Sequence, residues 1–418
     1  MPCLIRKRSR GLMRAGLVIA AAALVACAMP TRAQEKRKVI IDQDAAGPGG
    51  TDLQSIIALV NSPITDVLGI TVVTGDQWRD EEVAHTLRML EIIGRTDIPV
   101  VPGAVFPLVN SKEETEEWEA HYGMVRYQGA WNRGNPLHGP WEIPPLPEGA
   151  PTTHVANQDA AHFLLRMVHK YPHEVTIYAA GPVTNLALAQ AIDYEFASLA
   201  KELILMGGSI NPVTNDPEFQ ANPHREFNLW MDPEAARRVL RSPWARIVVT
   251  TVDISVKTRM DGAIVAEIAK GKSASAEYVA KYARESYLWD ELAAVAWLDP
   301  SIITRTTKMH MDVSIDHGPT YGDTIVWEAG KQPPIVVGQT GPMVEVQEDL
   351  DKEKFYKELV ELLTRGMPGA RPGASNRTLF REMVDDKRDG QADADHVRED
   401  GDDVGGEQEN GAKYTGGA

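Results

Sequence analysis

Short runs of β-branched residues alternate along this chain with stretches of helical period. The runs at 39–41, 67–74, 100–101, 175–179, 203–206 and 247–251 are nearly continuous in apolar residues and read as buried strands. Segments 53–60, 81–93, 156–171, 182–191, 233–241 and 292–298 read instead as helices. Strand then helix, repeated, predicts an α/β fold: a mostly parallel, Rossmann-like sheet flanked by helices on both faces. No internal repeat or composition break divides this stretch, so one domain is expected. Segment 118–141, rich in Trp, Tyr, Gly and Asn, reads as a long excursion loop of the kind that forms lids and binding loops.

Both ends depart from the pattern. Arg6-Lys7-Arg8-Ser9-Arg10 precedes an almost wholly apolar run at 15–29, which together read as an export signal over residues 1–33. The run is too short and Ala-rich for a confident membrane span. Leu24-Val25-Ala26-Cys27 fits a lipoprotein signal with Cys27 lipidated, whereas Thr31-Arg32-Ala33 fits ordinary cleavage before Gln34. Both readings stay open, and both export the protein from a bacterial cytoplasm to the periplasm or envelope. Residues 34–37 follow as a short linker, 38–365 as the folded body, and 366–418 as an acidic, Gly-rich tail too poor in apolar residues to offset its ordering entropy.

Charge and cysteine content narrow the function. A net charge of -16 over 418 residues disfavours nucleic-acid binding, which runs on Lys and Arg neutralising phosphates. A small-molecule partner is expected, and self-association into a homo-oligomer is left open. Cys3 and Cys27 are the only cysteines, so the body has no disulfide, thiolate metal site or cysteine nucleophile.

Candidate chemistry gathers at strand ends, where parallel sheets bind ligands. Asp42-Gln43-Asp44 follows the first strand, and a Gly-rich turn leads to Thr51-Asp52 at the start of the next helix. Carboxylates this close call for a cation, and oxygen ligands on a turn suit calcium or magnesium better than zinc. The competing reading makes Asp52 a helix cap and the other two solvated loop residues. Gly75-Asp76, Ala180-Gly181-Pro182 and Gly207-Gly208 end further strands. Glu226 and Asn228 flank Phe227 in strand-like alternation, which would put both on one face, by default a solvent face. Asp232 before Pro233 reads as a cap, and Asp290 reads either as a cap or as a ligand. Among the histidines there is no HExxH and no pair at ligand spacing on a clear helix.

Taken in order, Asp42-Gln43-Asp44, the Gly turn with Asp52, Gly75-Asp76, Ile98-Pro99-Val100-Val101-Pro102-Gly103-Ala104, Gly181-Pro182-Val183-Thr184-Asn185, Met206-Gly207-Gly208, Glu226-Phe227-Asn228 with Asp232-Pro233-Glu234-Ala235-Ala236, and Asp290 resemble the inosine-uridine-preferring nucleoside hydrolase family. The resemblance covers roughly 38–365. It implies an α/β hydrolase that uses calcium to cleave the N-glycosidic bond of a ribonucleoside or related riboside. By the same resemblance Asp44 is metal ligand and general base, Asp52 and Asp290 are ligands, and Ala180 supplies a backbone carbonyl. Asp42 supports the metal site, while Glu226 and Asn228 hold ribose hydroxyls.

Departures from the family pattern bear on the substrate. The first loop is stretched and carries Thr51 in place of an Asp that meets a ribose hydroxyl. Asp76 and Gln220 stand where the family has Asn. Trp289 replaces a His that protonates the leaving base, and would instead stack on that base. The replacement acid is then sought in His224 or in the excursion loop, where His138 is a candidate. A catalytically weak relative that binds a ribosyl ligand is the alternative function.

Overall fold

The computed structural model describes residues 36–131, 138–331 and 341–366. The expected export signal, with Cys27, and the expected tail from residue 367 lie outside the described residues.

Among the described residues, nine strands form the main sheet. β1 (Arg37–Gln43), β2 (Thr65–Val72), β3 (Val100–Pro102), β4 (Thr176–Ala179), β5 (Glu202–Met206) and β6 (Ile247–Thr250) lie in the spatial order β6-β5-β4-β1-β2-β3, with every neighbour parallel. β7 (Ile303–Val313), β8 (Thr324–Glu328) and β9 (Val344–Leu350) extend it beyond β6. β9 is parallel to β6, and β7 is antiparallel to both β9 and β8. The predicted single α/β domain with a mostly parallel sheet is what forms.

Side-chain alternation along β1 explains why both faces are covered. Val39 and Ile41 enter a core shared with helices Thr51–Asn61, Asp290–Leu298 and Lys352–Thr364. Ile40 points the other way, into a core built with helices Ala160–Lys170, Thr184–Ile192 and Pro233–Leu240. All three β1 residues are fully buried, and each such side chain contributes roughly 1.5–3 kcal/mol of transfer free energy.

From β1 the chain steps outward through β2 and β3, then returns to the opposite side of β1 as β4. The strand order therefore reverses between β1 and β4, opening a crevice at their carboxyl ends. Asp42 to Asp44 and Ala180-Gly181 border that crevice, joined by the Ala180 N–H donating to the Asp42 carbonyl at 3.0 Å.

Segment 118–141 is only partly the expected loop. Helix Lys112–Tyr122 includes Trp118 and is capped by the Ser111 hydroxyl, which accepts from the Glu114 N–H. Its many Glu residues favour helix without marking a buried face, so no apolar period betrays it. A 3₁₀ turn follows at Gly129–Trp131.

Candidate active site

A cavity of about 480 Å³ opens at the strand-order reversal. Among the described residues it is lined by seven carboxylates, Asp44, Asp52, Asp76, Glu218, Glu226, Glu285 and Asp290, and by one guanidinium, that of Arg284. Ala180, Asn228, Phe219, Phe227, Tyr127, Thr51 and Trp289 complete much of its wall. Two distant segments, 44–52 and the start of helix Asp290–Leu298, thus bring Asp44, Asp52 and Asp290 to one cavity.

Backbone geometry fixes Asp44 tightly. Its Oδ2 accepts from the Asp76 N–H at 3.0 Å. Gly75 and Gly181 pack against it on two sides: a Cβ on Gly75 would lie 2.6 Å from Asp44 Cγ, and one on Gly181 2.6 Å from Oδ1. Both glycines are there because the carboxylate occupies the space a side chain would need.

Asp52 is not a helix cap. Gly50 holds the N-cap position of Thr51–Asn61, and no side chain caps that helix. Asp52 sits in its first turn instead, sharing a hydrogen bond with Asp290. Asp290 is likewise inside its helix, behind an N-cap at Trp289, and its Oδ2 accepts from Gln43 Nε2 at 2.6 Å. Gln43 lies between the two predicted carboxylates of the β1 end, yet its structural part was invisible in the sequence.

Burial raises the carboxyls of Asp44 and Asp52 well above the ordinary range and that of Asp290 to about 7, with neighbouring carboxylates adding to the effect at Asp44 and Asp52. Burial also lifts Asp42 to about 7, although Thr71 and Asn185 donate to its Oδ1, the Asn185 bond being 2.8 Å. Asp42 Oδ2 and Gln43 Oε1 are buried without a hydrogen-bond partner among the described residues. Among the described residues, no three His, Cys, Asp or Glu side chains converge tightly enough to form a ready metal cluster. What the site offers is an all-oxygen donor set, short of positive charge, with its protons held by desolvation.

Glu226 and Asn228 both reach the cavity, but not by strand alternation. Glu226 is the N-cap of helix Phe227–Met231, and its carboxylate accepts from the N–H groups of Asn228, Leu229 and Gly208 at 2.8, 3.1 and 2.9 Å. Asn228 Nδ2 donates to the Met206 carbonyl at 3.2 Å. Helical geometry wins because Glu226 satisfies two otherwise unpaired N–H groups of the first turn. Asp232 caps Pro233–Leu240 as expected, accepting from the Ala235 N–H at 3.0 Å.

The family model for inosine-uridine preferring nucleoside hydrolases matches residues 39–357. This chain belongs to that family. It is accordingly a hydrolase acting on N-glycosyl compounds. The chain is 31% identical to uridine nucleosidase 1 of Arabidopsis thaliana over 280 residues, which is 64% of this chain and 75% of the relative. It is 26% identical over 309 residues to the pyrimidine-specific ribonucleoside hydrolase RihB of Escherichia coli, covering 71% of this chain and 89% of that one. A solved plant nucleoside hydrolase superposes with a TM-score of 0.61 at 26% identity, covering 78% of this chain and 99% of the other.

Within the nucleoside hydrolase site, three expected residues stand elsewhere. Gln220 is exposed, donating to the Thr214 carbonyl at 2.6 Å, because helix Pro217–Ala221 turns Glu218 and Phe219 toward the cavity in its stead. His224 is exposed, and His138 Nε2 bonds Glu81 Oε2 at 2.9 Å; neither lines the cavity. Thr51 does line it, but its hydroxyl accepts from the Asp290 N–H at 3.2 Å and donates closely to Glu291. Asp76 accepts from the Tyr127 phenol, and Trp289 packs edge-on to Phe219 with ring centroids 5.9 Å apart. Glu218, Glu291, Tyr127 and Phe219 were missed by sequence reasoning, since none sits in a local motif.

Proposed function

We propose that this protein hydrolyses the N-glycosidic bond of a ribonucleoside or closely related riboside with the help of calcium. The observation that carries the reading is the set of buried carboxylates around one cavity, far in excess of positive charge. Asp44, Asp52, Asp290 and the Ala180 carbonyl would hold the ion, with Asp42 supporting them; oxygen donors of this kind suit a hard divalent cation. When bound, calcium lowers the pKa of water and fixes its position. Asp44 would accept the proton of a water adding to the anomeric carbon, while the bond to the base breaks through an oxocarbenium-like state. Glu226 and Asn228 orient the ribose hydroxyls and offset the developing positive charge, with Asp76 beside them. Thr51, committed to Asp290 and Glu291, shapes the loop near the sugar, and Trp289 with Phe219 walls the base end.

The names of the relatives favour a ribonucleoside, with nucleoside salvage as the setting. The decisive assay measures ribose release from a nucleoside panel with the metal chelated and then with calcium restored. Release that depends on calcium supports the proposal; undiminished release after exhaustive chelation rejects the metal. One observation favours a second reading as a ribosyl-binding envelope protein: among the described residues, no histidine lines the cavity. Ligand binding without any turnover would support that alternative. We also propose export through residues 1–33, either free after Ala33 or lipidated at Cys27, leaving 38–365 as the catalytic body and 366–418 as a solvated tail. Mass measurement of the mature N-terminus distinguishes the two forms.

A further inference from the structure

The geometry points to Glu218 as the residue that protonates the departing base, a catalytic residue at the end of the cavity walled by Phe219 and Trp289. This rests on the nucleoside hydrolase reading above. Glu218 lies in helix Pro217–Ala221, which is capped by Asp216 and stands outside the sheet, whereas Asp44 directly follows β1. Both line the same cavity. The residue after Glu218 is Phe219, whose ring meets Trp289 edge-on at 5.9 Å, and Trp289 in turn meets Tyr287 at 5.0 Å. A planar base fits against such a wall, in the cavity that Glu218 also lines.

Burial favours the protonated form of Glu218, and neighbouring carboxylates add to the effect. Burial, assisted by the carboxylates of Asp216, Glu226 and Asp76 and opposed by Arg225, pushes its carboxyl up to about 7. Arg225 is itself drawn toward Asp323 at 3.5 Å and lies over the Trp118 ring at 4.4 Å. Arg126 and Tyr127 border the small pocket behind Glu218, and Arg284 and Glu285 stand at the exposed cavity rim. Tyr127 is a poorer donor, because its proton is committed to Asp76 and burial holds its phenol well above the ordinary value.

The step balances simply. The bond from the anomeric carbon to the base nitrogen breaks, its electron pair enters the base, and the Glu218 proton neutralises that base. Water supplies hydroxide to the sugar and its proton to Asp44. Solvent exchange then returns Glu218 to the acid form and Asp44 to the base form.

The test compares substrates that need an acid with one that does not, in the full-length calcium-loaded protein. Inosine and uridine leave poorly without protonation, whereas p-nitrophenyl riboside departs as a stable phenolate. Glu218→Gln is expected to lower kcat on the nucleosides by roughly 100-fold or more while leaving nitrophenyl riboside cleavage nearly unchanged. The fall in nucleoside turnover at high pH should also vanish in that variant. Glu218→Asp, which keeps the acid, should recover part of the loss and serves if the Gln variant does not fold. An equal loss on both substrate types, or no loss on either, overturns the assignment. A wild-type protein that cleaves neither substrate instead overturns the hydrolase reading on which it rests.

Discussion

Gly75→Ala isolates the placement of Asp44 without touching any charged group. The backbone of Gly75 has no left-handed φ, so alanine meets no conformational obstacle there. The obstacle is spatial: the new Cβ would stand 2.6 Å from Asp44 Cγ and 2.5 Å from its Cβ, where ordinary contact begins at 3.4 Å. Asp44 must therefore retreat by roughly 0.9 Å at its Cβ, and further at Oδ2, which lies nearer still, or the turn must open, since backbone bonds hold both partners. Overpacking of this size costs about 1–3 kcal/mol of stability. A catalytic group displaced by about 1 Å loses on the order of 100-fold in rate. The expected outcome is a folded protein with a lower melting temperature and kcat reduced about 100-fold, equivalent to about 2.7 kcal/mol in the barrier. Gly262→Ala, where a Cβ meets nothing within 4 Å, serves as the control and should keep full activity. Ribose release measured on both variants, with thermal unfolding alongside, decides the matter. A Gly75→Ala enzyme turning over within about threefold of wild type would refute the claim that Asp44 must sit where the structure holds it.

Asp44→Asn is expected to abolish turnover while nucleoside binding persists, because the base is lost and the cavity remains; unchanged kcat would sink the assignment. Asp52→Ala should weaken calcium affinity measured by calorimetric titration, and retained affinity would remove that ligand from the set. Thr51→Asp places a second carboxylate against buried Glu291, so a loss of about 2 kcal/mol is expected, relieved by adding Glu291→Ala. Equal melting temperatures for Thr51→Asp and wild type would contradict the contact. Burial raises Glu226 to about 7 and Asp232 to about 6, so between roughly pH 4 and 7 the folded state binds more protons than the unfolded one. The metal-free protein should accordingly lose stability as pH rises through that window, each group contributing about 1.4 kcal/mol for every pH unit over which only the folded state holds its proton. Melting temperatures in chelator that climb from pH 5 to 7 would contradict this direction.

The α/β class, the single domain and the first six strands were legible in the chain itself. Buried parallel strands are continuous apolar runs, and their helices carry a period of their own, so both signals are local. Asp44, Asp52, Asp76 and Asp290 were also legible as candidates, since each sits at a strand end or helix start. β7 was not, because much of its length is exposed and it lacks a continuous apolar run. Nor was the fate of Glu226, where local alternation suggested a strand and a helix cap prevailed. The contacts that define the site join residues far apart in sequence: Gln43 to Asp290, Thr51 to Glu291, Phe219 to Trp289. Which carboxylates share one cavity, and which protons desolvation holds there, were decided only in three dimensions, because burial and proximity are properties of the packed molecule and leave no periodic trace in the residues that create them.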